Sequence, residues 1–180
     1  MKFIFKLAFI LMTICIWAAG TLAWVESTTR NKIKNNEIQK QEILKQIVLK
    51  EANSFKEIEK EIFLGYNKIE QIVGMVVGID VKGYGGSIKM LVGVGKDRKI
   101  KGFEILSHKE TPGLGSEIEK GSFKNQFKGK EVSKIILKKD NPNGEIDAIS
   151  GATISSRAVT NGLKKALNNA DRVFKSIGEN

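Results

Sequence analysis

One short run of this sequence, DAISGATISS from Asp147 to Ser156, gathers a carboxylate, four hydroxyls and three of the smallest residues just ahead of an apolar stripe. Hydroxyls at the start of a helix do one of two things. Ser150 or Thr153 can cap the helix by accepting a hydrogen bond from a first-turn N–H. Alternatively, the free N–H groups and the positive end of the helix dipole hold an anion such as a phosphate. For that second role Gly151 permits a close approach or a positive φ, Ala152 adds no bulk, and Ser155 and Ser156 add hydroxyl donors. On these residues alone both readings stand.

Two further segments carry special backbone chemistry. In ETPGLG, Glu110 to Gly115, Pro112-Gly113 suits a type II turn and Gly115 is a second permissive position. In GYGG, Gly83 to Gly86, glycines flank Tyr84 and free its ring to project. Each could equally be a surface turn with no ligand.

Other chemistries are poorly supported. The single cysteine, Cys15, lies within the first apolar run, so there is no intrachain disulfide and no zinc cluster. The single histidine, His108, excludes a multi-histidine metal site. No nucleophile–base pair stands out, so neither catalytic residues nor a metal site are expected. A net charge of +10 would suit nucleic acid, an anionic surface or an acidic partner. The lysines, however, are scattered among glutamates, and only two Tyr and two Trp are present. Nucleic-acid binding is therefore not expected.

The elements that must position these residues follow from periodicity. Leu7 to Val25 is a nineteen-residue run without a charge. At about 1.5 Å of rise per residue it approaches the ~30 Å hydrocarbon core of a bilayer. Trp24 lies near its far end, and Lys2 and Lys6 precede it. This predicts a retained anchor over residues 1–26, with the rest of the chain outside the cytoplasm. A cleaved signal peptide is the alternative, although Thr21-Leu22-Ala23 is a poor cleavage site. Residues 27–64 read as a Lys/Glu-rich helical stalk, with Ile33, Ile38, Ile43, Ile47, Ile58 and Ile62 at mixed helical intervals and a break near Asn53-Ser54.

Residues 65–180 read as the functional domain. IVGMVVGIDV and SIKMLVGVG, joined by KGYGG, predict two strands, and KIKGFEIL predicts a third across a GKDR turn. Short helical character is expected from Ser116 and a further strand over Glu131–Lys139, before the DNPNG turn. A last helix is expected from about Ile154, its stripe made of Ala158, Leu163, Ala166, Leu167, Ala170, Val173, Phe174 and Ile177. The fold class is α+β: an anchor and stalk, then a small, mainly antiparallel sheet with packed helices.

Taken together and in this order, GYGG, HKETPGLGSEI and DAISGATISS resemble the G subunit of the Rnf electron-transport complex. That family belongs to the FMN-binding domains shared with the C subunit of the sodium-pumping NADH:quinone reductase. The similarity covers the whole chain. It implies FMN joined through its phosphate to a threonine hydroxyl, within a motif that falls on Asp147, Ser150, Gly151, Ala152 and Thr153. Thr153 is the implied acceptor. A flavin transferase would take FMN from FAD with a divalent metal, and Asp147 is the carboxylate placed to assist it. Glu110, Thr111, Gly113, Leu114, Gly115 and Tyr84 would help build the flavin pocket. The implied function is a membrane-bound flavoprotein relaying electrons between redox subunits of an ion-translocating ferredoxin:NAD oxidoreductase. The C subunit of the quinone reductase and a non-redox extracytoplasmic binding module are the rivals.

Overall fold

The computed structural model describes residues 2–178 in backbone, and the side chains of residues 3–30 and 39–178. The chain forms two compact units, Met1–Glu42 and Ile43–Asn180. Helix α1 (Lys2–Val48) begins in the first unit. Its segment Phe3–Arg30 is long and apolar enough to cross a membrane, and none of its most apolar window is buried in protein. Phe5, Phe9, Trp17 and Trp24 are all exposed there, as a lipid-facing helix requires. The side chains of Lys32, Ile33, Lys34 and Ile38, part of the expected stalk pattern, lie outside the described residues.

The second unit is built on a five-stranded antiparallel meander in the order β1-β2-β3-β4-β5. Its strands are β1 (Ser54–Glu59), β2 (Ile62–Tyr66), β3 (Ile72–Lys82), β4 (Ser87–Gly95) and β5 (Ile100–Ser107). Along β3, Met75, Val77, Ile79 and Val81 enter the main core, whereas Val76 enters a second cluster with Leu91 of β4. Burial on both faces explains why these strands read as continuous Val/Ile runs rather than as alternation. The second face is closed by Val48 at the end of α1, with Leu49 and Ala52 just beyond it. There the Lys45 ammonium lies 3.5 Å from the Phe63 ring centroid, a cation–π contact at a buried lysine.

The main face is covered by helix α3 (Thr153–Ser176), whose Val159, Leu163, Ala166, Leu167, Ala170, Val173 and Phe174 are buried. Ile177, expected on that stripe, is the C-cap and remains exposed. Between β5 and α3 runs a long connection with a 3₁₀ turn at Gly115–Glu119 and a four-residue helix, α2 (Gly121–Lys124). Phe127 pins it, edge-on to Phe103 at 5.6 Å and to Phe123 at 5.2 Å. Each such pair adds about 0.5–1.5 kcal/mol beyond area burial.

Two expectations about these elements are corrected. The stalk helix does not extend to residue 64: SFKEIE is an edge strand and IFLGY its partner. Ile62 and Leu64 face the main core while Phe63 faces the other cluster, an alternation of two that the flanking Lys and Glu disguised. Glu131–Lys139 is not a strand. It forms a 3₁₀ turn at Val132–Lys134 and one parallel bridge, Leu137 to Ile146. Ile135 and Leu137 are buried alternately, so the pattern reported burial without a ladder.

Candidate functional site

Three turns converge at the end of the sheet that carries the β3–β4 hairpin, two of them in backbone contact and the third reached by a side chain. The hairpin turn closes through Gly83 N–H to Gly86 O at 2.7 Å. It lies so close to the loop after β5 that a Cβ on Gly85 would sit 1.9 Å from the Lys109 carbonyl oxygen. That loop turns at Thr111-Pro112-Gly113-Leu114, where Leu114 N–H donates to Thr111 O at 3.2 Å and Gly113 has φ +72°. These are the marks of the type II turn expected from Pro-Gly. The third turn, Ile149 to Ala152, closes through Ala152 N–H to Ile149 O at 3.0 Å, with Gly151 at φ +74°. Leu114 leans over it: a Cβ on Gly151 would lie 2.9 Å from Leu114 Cδ1.

At the junction sits Glu110, only 5% exposed. Its Oε1 accepts the Gly85 N–H at 3.0 Å, and its Oε2 accepts the Ser155 hydroxyl at the start of α3. One carboxylate therefore ties the hairpin turn, its own loop and the last helix together. His108, at the foot of the loop, accepts the Glu110 N–H on Nδ1 at 3.1 Å, with Nε2 3.2 Å from Glu119. It braces the loop and does not line the cleft.

The three turns enclose a cleft of about 530 Å³, within the roughly 300–1,000 Å³ of small-molecule sites. It is lined by Tyr84, Glu110, Thr111, Leu114, Gly115, Gly151, Ala152, Thr153 and Ser155, together with Lys139 and Ile154. The residues singled out in three separate segments of sequence thus meet on one surface. Tyr84, Leu114 and Ile154 are exposed apolar side chains there, the lining a flat aromatic ligand needs. Asp147 and Ser150 line, with Lys138, a second, more open recess that shares Lys139 and Gly151 with the cleft. Gly113 makes its turn without lining the cleft.

Helix α3 starts without a side-chain cap: its N-cap residue is Ala152, and no acidic residue occupies the first turn. The capping role open to Ser150 or Thr153 is not used. Nor does Ser156 offer a donor to the cleft. It is buried, donates to Ala152 O at 2.9 Å and accepts the Ile149 N–H at 3.0 Å, bracing the turn from within. The Ser155 hydroxyl donates its hydrogen bond to Glu110 Oε2. Of the hydroxyls in DAISGATISS, the one left at the cleft is that of Thr153, half-buried, whose Oγ1 accepts from Lys139 Nζ at 3.2 Å.

The charges around it are ordered. Lys138 pairs with Asp147 at 2.8 Å. Arg157 grips Asp140 with two bonds, Nε to Oδ2 at 2.9 Å and an NH2 contact to Oδ1 at 2.5 Å. That fork holds the Asp140 carboxyl below its ordinary pKa and the Arg157 guanidinium above its own. An open helix N-terminus, a hydroxyl and an ammonium beside an apolar cleft make a place for a phosphate attached to a flat ring. The residues present fit FMN. Among the described residues, no cluster of His, Cys, Asp and Glu could hold a metal ion. Lys139, Ile154 and the Asp140–Arg157 fork were not anticipated. The signals available were the two lysines that lead into DNPNG and an isoleucine off the helix stripe.

Comparison with known proteins bears on the same segments. The FMN-binding domain family matches residues 83–168, from the hairpin turn into α3. The chain is 34% identical over 189 aligned positions to the G subunit of the Na(+)-translocating ferredoxin:NAD(+) oxidoreductase complex of Acetobacterium woodii, covering 92% of this chain and 91% of that protein. It is 42% identical over 119 residues to the G subunit of the proton-translocating ferredoxin:NAD(+) oxidoreductase complex of Clostridium ljungdahlii, a match to 65% of this chain and 64% of that protein. Among solved structures, the C subunit of the Na(+)-translocating NADH-quinone reductase from Parabacteroides distasonis aligns over 59% of this chain and 58% of its own, with 30% identity and a TM-score of 0.49.

Proposed function

Because this chain belongs to the family of G subunits of ion-translocating oxidoreductase complexes, with their FMN-binding domain, we propose that it carries FMN covalently on Thr153 and relays electrons within such a complex. The observation that carries this reading is the meeting of the Glu110–Gly115 loop and the Gly151–Ser155 turn on one cleft, with the Thr153 hydroxyl at its edge. Bound FMN supplies electron transfer in one- and two-electron steps. The chain's own residues bind and orient. The first turn of α3 and Lys139 take the phosphate; Tyr84, Leu114 and Ile154 face the ring; Glu110 holds the three turns in register. Asp147, exposed in the neighbouring recess and paired with Lys138, is accessible to a maturing flavin transferase.

A covalent tether suits a cofactor that works where lost flavin is not replaced. That agrees with a single-pass anchor in Phe3–Arg30 and a domain on the extracytoplasmic side; Lys2 and Lys6 before the span favour that orientation, and Arg30, Lys32 and Lys34 after it oppose it. Ion movement then falls to partner proteins of the complex, since Leu7–Val25 contains no charge. In this reading the chain divides into an anchor over residues 1–26, a linker and a flavin domain.

Co-expression with a flavin transferase and measurement of the intact mass tests the attachment. The wild-type chain gains one FMN and fluoresces in a denaturing gel, and Thr153→Ala does neither while keeping its fold. Flavin retained by Thr153→Ala through denaturation would move the acceptor elsewhere.

A further inference from the structure

We infer that Lys139 is the positioning residue for flavin attachment: its ammonium presents the Thr153 oxygen to the incoming phosphoryl group and then holds the phosphodiester that results. The inference rests on the flavoprotein reading above and adds to it a role for Lys139 in the attachment step. Lys139 Nζ lies 3.2 Å from Thr153 Oγ1. A lysine only donates, so it occupies a lone pair of the hydroxyl and directs the Thr153 proton elsewhere, where a base can reach it.

The local charges leave this one cation for the task. Asp147 is taken by Lys138 and Asp140 by Arg157, and among the described residues Lys139 joins no ion pair. One uncompensated positive charge at the acceptor oxygen matches the single negative charge of a phosphodiester. Lys139 is also held in place. Asp140 N–H and Asn141 N–H both donate to Leu137 O, at 3.0 and 3.1 Å, folding the chain back on itself. The Asp140–Arg157 fork then fastens that fold to α3 one helical turn beyond Thr153.

The transfer balances with a flavin dinucleotide as donor. A bond forms between the Thr153 oxygen and the phosphorus on the FMN side; the pyrophosphate P–O bond breaks, and AMP leaves with its electron pair. The hydroxyl proton passes to a base of the transferase. Negative charge builds on the oxygens around that phosphorus, within reach of the Lys139 ammonium.

The test uses the full-length chain in detergent, with purified flavin transferase, FAD and Mg²⁺. Initial rates of in-gel fluorescence are followed over a range of chain concentrations, and intact mass fixes the end point. Lys139→Met lowers kcat by about tenfold or more, less than the ~10²–10³ of a buried donor because Lys139 is exposed. KM for the chain stays within about twofold, as expected for a group acting on the oxygen rather than in docking. Lys139→Arg recovers most of the rate. Lys165→Met, which removes an exposed cation elsewhere on α3, leaves it unchanged. Two failures are distinct. A wild-type chain that takes up no flavin from an active transferase overturns the flavoprotein reading. A wild-type chain that is labelled, with Lys139→Met equal to it in kcat or altered only in KM, overturns the role of Lys139 alone.

Discussion

Deleting the Glu110 carboxylate tests whether the site is held together as its contacts indicate. Glu110→Ala leaves the Gly85 N–H and the Ser155 hydroxyl without their acceptor. A hydrogen bond to a charged group contributes about 1.5–3 kcal/mol, so the two bonds set an upper limit near 6 kcal/mol. Against this stands the cost of burying the carboxylate, 5% exposed and with no cation against it among the described residues. That cost is several kcal/mol and is recovered on deletion. The net expected loss is about 1–3 kcal/mol. Glu110→Gln keeps an acceptor for Gly85 and offers Ser155 an amide to which its hydroxyl can turn, so it stays within about 1 kcal/mol of wild type. Denaturant unfolding of the full chain, followed by far-ultraviolet circular dichroism, gives the order. Tryptophan fluorescence does not serve, because Trp17 and Trp24 both lie in the first unit. Amide exchange over residues 83–87 reads the local effect, rising in Glu110→Ala. An alanine variant as stable and as protected as wild type would refute the clamp. A glutamine variant as damaged as the alanine would show that charge, not hydrogen bonding, does the holding.

Gly151→Ala places a Cβ-bearing residue at φ +74° and 2.9 Å from Leu114 Cδ1. The backbone alone costs about 1–2 kcal/mol, and the Leu114 tip must move, so both the melting temperature and the yield of attached flavin fall; an unchanged melting temperature would contradict the strained turn. Glu145 gives a pH test. Hydrogen bonds from Lys130 and Lys134 depress its carboxyl from about 4.5 to about 2. A depressed carboxyl stabilises the fold above its unfolded pKa and loses that contribution as pH falls through the folded value. The stability difference between wild type and Glu145→Gln is therefore present at neutral pH, fades below about 4.5 and is gone near 2. It also shrinks with salt, because these pairs are solvent-exposed. A difference independent of pH would mean the two lysines do not recognise the charge.

How much of this could be read from the sequence depends on how local the cause is. The strands β3 to β5 and helix α3 were legible because each repeats its apolar residues at its own period. Pro112-Gly113 was legible because its turn is chemistry of adjacent residues. Strand β1 was not: SFKEIE buries so little that its Lys and Glu speak for a helix, and only pairing with β2 makes it a strand. Ser155 and Ser156 were read as open donors, and the correction lay with Val159, which the expected stripe left out. Carried back from Val159 and Leu163 by three and four residues, the stripe reaches Ser155 and Ser156, which are buried. Lys139 was beyond reach, because its meeting with Thr153 requires a loop whose return depends on a side-chain fork to Arg157.

The same helix phase decides which oxygen faces a ligand. Successive residues of α3 are about 100° apart, so the face that packs on β3 and β4 fixes every other. With Ser155 and Ser156 turned inward to Glu110 and to the Ile149 turn, Thr153 and Arg157 lie four residues apart on the outer side. Arg157 recruits Asp140, Asp140 brings Lys139, and Lys139 reaches Thr153. Selection among the three hydroxyls in TISS is thus a consequence of core packing: the two that fall under the stripe become braces, and the one that falls outside it is left to chemistry.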